Sequence, residues 1–234
     1  NISQKFSYEF FQTLYEYDSF GTRHSPVLII FLSLFEKIKL PDVFIRLIHL
    51  HLSLLLPFFF YKCLTVKFKD IDEKILLFLL ILIFLSPTFR SLAIWPDSRL
   101  LGLAFFTLSI YFFLKFEDNK NIKFAIYNVI TLALSAYLSP NFSVFSIFFL
   151  IKFFLYYGFF SKKFLYLVVI NFFLAIPAFY YIFILDINFL LQSAAIGISG
   201  NEKIIFNNIF NDILITFSII FFYLIPFIFL KIFK

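Results

Sequence analysis

The sequence predicts an all-α protein, a polytopic bundle of transmembrane helices with about seven spans plus an N-terminal juxtamembrane helix. Three observations lead there. The 234 residues are 62% hydrophobic, with 42 Phe against five Gly, and the mean hydropathy is +0.95. A chain of that composition has too few polar residues to clothe a soluble core. Its apolar runs approach the roughly 20 residues needed to cross the hydrocarbon of a bilayer, and its lysines gather between those runs rather than within them.

Residues 1–25 are polar and aromatic, without the short apolar run and small-residue cleavage site of a signal peptide. The chain starts at Asn1 and contains no Met, so the expectation is an internal or processed piece once preceded by a membrane helix. The run from Pro26 to Phe35 ends at Glu36 and Lys37; it reads either as a short span or as a helix lying in the interface. Seven spans follow, at about 43–61, 74–90, 99–115, 122–139, 142–160, 164–186 and 213–231. The expected organisation is therefore an extracytoplasmic loop and juxtamembrane helix over 1–42 and a transmembrane domain over 43–234.

Charge sets the orientation. If 26–35 does not cross, eleven cations share one side, in the loops 62–73, 116–121 and 161–163 and the C-terminus, against seven on the other. The positive-inside rule makes the richer side cytoplasmic. The segment Ser86–Arg99, with Arg90, Asp97 and Arg99 between two apolar runs, then faces outward, as expected of a bacterial inner-membrane protein. The net charge of +6 is a topology signal, and no nucleic-acid partner is expected. The single Cys63 excludes an internal disulfide and a Cys-based metal cluster. His49 and His51, two apart on a helix, point to different faces and do not suggest a shared metal, whereas Arg46 and His49, three apart, share one.

The residues from about 9 to 160 resemble a family. Arg23-His24-Ser25-Pro26 and the apolar run after it resemble the His-Pro-Pro-Leu element of membrane glycosyltransferases related to protein O-mannosyltransferases and lipid A aminoarabinose transferase, the GT-C superfamily. Val43-Phe44-Ile45-Arg46-Leu47-Ile48 looks like the family's Ala-Leu-Arg-Leu run, and Ser86-Pro87 followed by Pro96-Asp97 is similar to its Ser-Pro and Arg-Pro-Asp stretch. Two departures stand out. Trp95 occupies the position of the Arg in Arg-Pro-Asp, and the acidic residue that the family places after its first helix falls before Asn1 or is represented by Glu9.

The resemblance implies transfer of a sugar from a polyprenyl-phosphate donor, in the membrane lipid, to an acceptor at the extracytoplasmic face. The leaving phosphate then requires a guanidinium or a divalent metal, and the acceptor hydroxyl requires a carboxylate. Asp97, Asp18 and Glu9 are the candidate catalytic carboxylates. Arg23, His24, Arg46, Arg90, Trp95 and Arg99 are the candidate substrate-binding residues. Each has a plainer reading alongside: Asp97 as a helix N-cap, Arg90 and Arg99 as side chains reaching for headgroups, Trp95 as an interfacial anchor. A transporter or lipid flippase is the rival function, with Pro57, Pro177 and Pro226 interrupting spans; a non-catalytic membrane scaffold is a third.

Overall fold

A computed structural model describes residues 2–20 and 25–184, together with 214 and 217; the side chain of Asp18 lies outside the described atoms. The chain divides into two units, Asn1–Ile187 and Asn188–Lys234. In the second, Leu214 and Phe217 are helical and exposed. The described residues of the first are helical and turn, with no strand among them.

The chain begins with α1 (Ile2–Tyr8) and α2 (Phe10–Tyr15), followed by a 3₁₀ turn at Tyr17–Phe20. The run at Pro26 becomes α3 (Pro26–Lys37), started by Ser25 as N-cap and Pro26 at its first turn. Twelve residues rise about 18 Å, short of the roughly 30 Å hydrocarbon layer. Leu28 packs on Leu101 and Leu138, and the Ser25 hydroxyl donates to the Tyr137 carbonyl.

The first expected span is α4 (Asp42–Ser53) followed directly by α5 (Leu55–Lys67). They join at Leu54 because Pro57 lacks the N–H that would bond the Ser53 carbonyl; together Asp42–Lys67 is long and apolar enough to cross. The second differs from the sequence expectation. Residues 74–90 are not one helix: α6 (Glu73–Leu85) and α7 (Pro87–Ile94) meet at a 66° bend. Pro87 cannot continue α6, the residue before it is driven to extended geometry, and Ser86 sits at φ −65°, ψ 120° while its hydroxyl accepts from the Phe89 amide. The expected polar turn over 86–99 is thus largely helix, and only residues 95–97 remain as a link.

α8 (Ser98–Asn119) closes on Lys120 in the left-handed conformation, at φ 55°, and α9 (Ile122–Leu138) returns beside it. A 3₁₀ turn at Pro140–Val144 leads into α10 (Phe145–Tyr157), and α11 (Lys162–Phe183) completes the unit. Four segments are long and apolar enough to cross a membrane, and five if the bent α6–α7 pair is one span; α9, at 17 residues, falls just short. Four or five of the seven expected spans are thus met by length and composition among the described residues. The run at 213–231 lies outside them apart from Leu214 and Phe217.

In lipid, helices associate through close packing and interhelical hydrogen bonds rather than through the hydrophobic effect. α8 and α9 show why small residues matter. A Cβ on Gly102 would stand 2.9 Å from the Ser139 Cβ, and the Ser135 hydroxyl donates to the Gly102 carbonyl at 2.7 Å. Farther along, the Asn128 amide donates to the Ser109 carbonyl at 2.8 Å. An aromatic core of Phe113, Phe116, Phe149, Phe153 and Phe164 binds α8, α9, α10 and α11. Pro177 lies inside α11, and the Tyr137 hydroxyl donates to the nearby Leu174 carbonyl at 2.5 Å.

Candidate functional site

The two ends of α8 are chemically distinct. At its C-terminal end Lys69 pairs with Asp118 at 2.7 Å, which places the α5–α6 loop there. At its N-terminal end the α7–α8 corner meets α4, and there the candidate residues converge.

α4 has two faces. One carries Arg46, His49 and Ser53, spaced by three and four so that they line up, and it meets α7 and the α8 N-terminus. His49 is buried, with Nε2 3.0 Å from the Leu92 carbonyl and 3.3 Å from the Asp97 amide nitrogen. Leu92 lies in the last turn of α7, where carbonyls lack intrahelical partners. Protonated at Nε2, the imidazole donates to Leu92; in the other tautomer it accepts from Asp97. Either way it ties α4 to the corner. One turn earlier on the same face, the Arg46 guanidinium lies 3.9 Å from the centroid of the Trp95 ring, a cation–π contact. Both side chains are exposed.

Asp97 is the N-cap of α8. Its carboxylate accepts from the Arg99 amide at 2.7 Å, from Arg99 Nε at 3.2 Å to each oxygen, and from Nη2 at 2.7 Å. Burial pushes this carboxyl's pKa up, but the Arg99 hydrogen bonds and charge outweigh it and hold the group below the usual carboxylate value. Such a group stays ionised with its oxygens occupied. It serves better as a fixed charge that orients Arg99 and the helix start than as a proton acceptor.

The opposite face of α4 is apolar. Phe44, Leu47, Ile48, His51, Leu52 and Leu55 line an open groove of about 360 Å³. His51 Nδ1 lies 2.7 Å from the Leu47 carbonyl, so the ring donates there.

Arg90 is exposed on α7, without an ion pair or side-chain hydrogen bond among the described residues. Glu9 is exposed at the N-cap position of α2 and makes no capping bond; among the described residues nothing joins it to the α4–α7–α8 corner. Arg23 and His24 lie outside the described residues, as does the side chain of Asp18, whose backbone belongs to the 3₁₀ turn. The structure thus brings Arg46, Trp95, Asp97 and Arg99 together and adds His49. The i,i+3 spacing of Arg46 and His49 was the available signal for that addition; its carbonyl partner could not be read from spacing. No group of three or more His, Cys, Asp or Glu side chains suited to a metal ion occurs among the described residues. Comparison with protein-family models, curated proteins and solved structures finds no match to this chain.

Proposed function

We propose that the protein is an integral-membrane glycosyltransferase that takes a sugar from a polyprenyl-phosphate donor at the extracytoplasmic face, with the α4–α7–α8 corner as its donor site. The observation that carries this reading is the Arg46 guanidinium stacked on Trp95 beside the Asp97–Arg99 pair. It offers a positive charge that no carboxylate among the described residues pairs, for a phosphate, and an aromatic surface for a sugar. Arg90, which has no ion-pair partner among the described residues, is the second phosphate partner, and Asp97 positions Arg99 at the corner. Arg23, His24, Asp18 and Glu9 enter the same proposal through the family resemblance, with a catalytic carboxylate supplied from the N-terminal segment. In this reading α9, the bent α6–α7 pair and the run at 213–231 each cross, which restores seven spans and leaves the lysine-rich loops cytoplasmic.

The test is transfer from a radiolabelled polyprenyl-phosphate sugar. Arg46→Ala and Arg90→Ala are expected to lose at least about tenfold in transfer, the loss of a charge-assisted phosphate contact, with membrane insertion intact. Transfer at the unmodified level by both variants would end the assignment. One observation favours the transporter or flippase alternative: the 66° break at Ser86 is the kind of interrupted span that transporters use for binding. Vesicle-to-vesicle movement of the lipid-linked sugar without transfer chemistry would select it.

A further inference from the structure

We infer that the end of the bundle where α8 passes to α9 and α10 to α11 binds the headgroup of an anionic phospholipid through Lys120, Lys123, Lys162 and Lys163. The inference does not rest on the glycosyltransferase reading, whose residues lie at the other end of α8.

The charge distribution is one-sided. From Asn119 to Leu185 the chain contains no Asp or Glu, yet Lys120, Lys123, Lys152, Lys162 and Lys163 fall within it. The last carboxylate before that stretch, Asp118, is engaged by Lys69. The four lysines of the proposed site are exposed and have no ion-pair partner among the described residues. Glu117 and Asp118 lie within three residues of Lys120, but among the described residues no carboxylate stands at ion-pair distance from the four ammoniums, and with Asp118 held by Lys69 their charge is open to an external anion.

Two of these ammoniums are already positioned. Lys120 Nζ stands 4.7 Å from the Tyr156 ring centroid and 5.7 Å from that of Phe116, and Lys163 Nζ stands 5.7 Å from that of Tyr157. The Tyr156 and Tyr157 centroids are 4.8 Å apart, so the two charges sit on adjoining aromatic platforms. A cation–π contact restrains the side chain while leaving its N–H groups able to donate. That lowers the ordering cost of gripping a phosphodiester.

The site's location selects a lipid over a soluble anion. Pro140–Tyr157 and Lys162–Phe183 are both long and apolar enough to cross, so the turn between them belongs at a membrane surface. At that turn Gly158, at φ +80°, ends α10, and Phe159 and Phe160, separated from Lys162 and Lys163 by Ser161 alone, are 58% and 87% exposed. Apolar rings next to lysines match the order of depth in a bilayer, with acyl chains below and phosphates above.

The test uses the full chain in neutral detergent, with bound lipid counted by native mass spectrometry. Phosphatidylglycerol is expected to be retained and phosphatidylcholine of the same acyl chains to be lost. Changing Lys120, Lys123, Lys162 and Lys163 together to Gln is expected to weaken phosphatidylglycerol binding by about 10- to 100-fold. Changing the same four to Arg is expected to preserve it, and Lys69→Gln to change it less than about twofold. Inorganic phosphate at millimolar concentration should not compete. Equal retention of the two lipids, unweakened binding by the Gln variant, failure of the Arg variant to bind, or displacement by inorganic phosphate would each overturn the proposal. So would tighter charge-dependent capture of a polyglutamate peptide than of phosphatidylglycerol.

Discussion

Replacing Asp97 by Ala and by Asn separates its two structural contributions. The carboxylate caps α8 through the Arg99 amide and pairs with the Arg99 guanidinium. Ala removes both. Loss of an N-cap costs about 1 kcal/mol, within a range of about 0.5–2. The ion pair adds less than about 1 kcal/mol because the Arg99 side chain is 62% exposed and screened by solvent. Asn keeps a good capping oxygen and loses only the charge, so it should cost less than about 1 kcal/mol. At about 2–4 °C per kcal/mol for a chain of this size, thermal unfolding followed by circular dichroism in detergent should separate Ala from Asn by several degrees. The pH dependence has a definite sign. The folded carboxyl has a depressed pKa, so its stabilisation is complete above the unfolded value of about 3.9 and is lost as pH falls through the lower folded value. The gap between the unmodified protein and the Asn variant should therefore close below about pH 4. An Asn variant as unstable as the Ala variant, or an Ala variant with an unmoved midpoint, would refute the capping account.

Three further outcomes follow from the packing. Gly102→Val adds carbons where a Cβ alone would stand 2.9 Å from the Ser139 Cβ; it should force α8 and α9 apart at a cost of about 1–3 kcal/mol, read as a lowered unfolding midpoint. Trp95 is the single tryptophan, so the emission of the whole chain reports on its contact with Arg46. Arg46→Gln should change the emission maximum and its quenching by iodide, and an unaltered spectrum would reject the stack. Tyr137→Phe removes the hydroxyl that bonds the Leu174 carbonyl near Pro177, and should cost about 1 kcal/mol and speed amide exchange in that stretch of α11.

Several elements were legible because their causes are local. Proline and the cap residues set the starts of α3 and α8, apolar length set the spans, and the spacing of Arg46 and His49 put them on one face before any partner was known. Where α6 ends was harder to read. Ser86-Pro87 signals a break, yet its apolar flanks are long enough to suggest a continuous span, and only the backbone direction shows a 66° turn. The candidate site divides in the same way. Asp97 as a cap follows from Pro-Asp ahead of an apolar run, but the occupation of both its oxygens by Arg99 depends on a side-chain rotamer. That Arg46 meets Trp95, 49 positions away in sequence, and that His49 Nε2 reaches the α7–α8 corner depend on how α4 crosses it.

By itself, the sequence determined an all-helical membrane protein whose lysines concentrate between spans, because hydropathy and charge act residue by residue against the bilayer. The tertiary structure decided which polar residues share a corner and which charges have no partner among the described residues. Those contacts join helices distant along the chain, and their energies exist only once α4, α7 and α8 have packed.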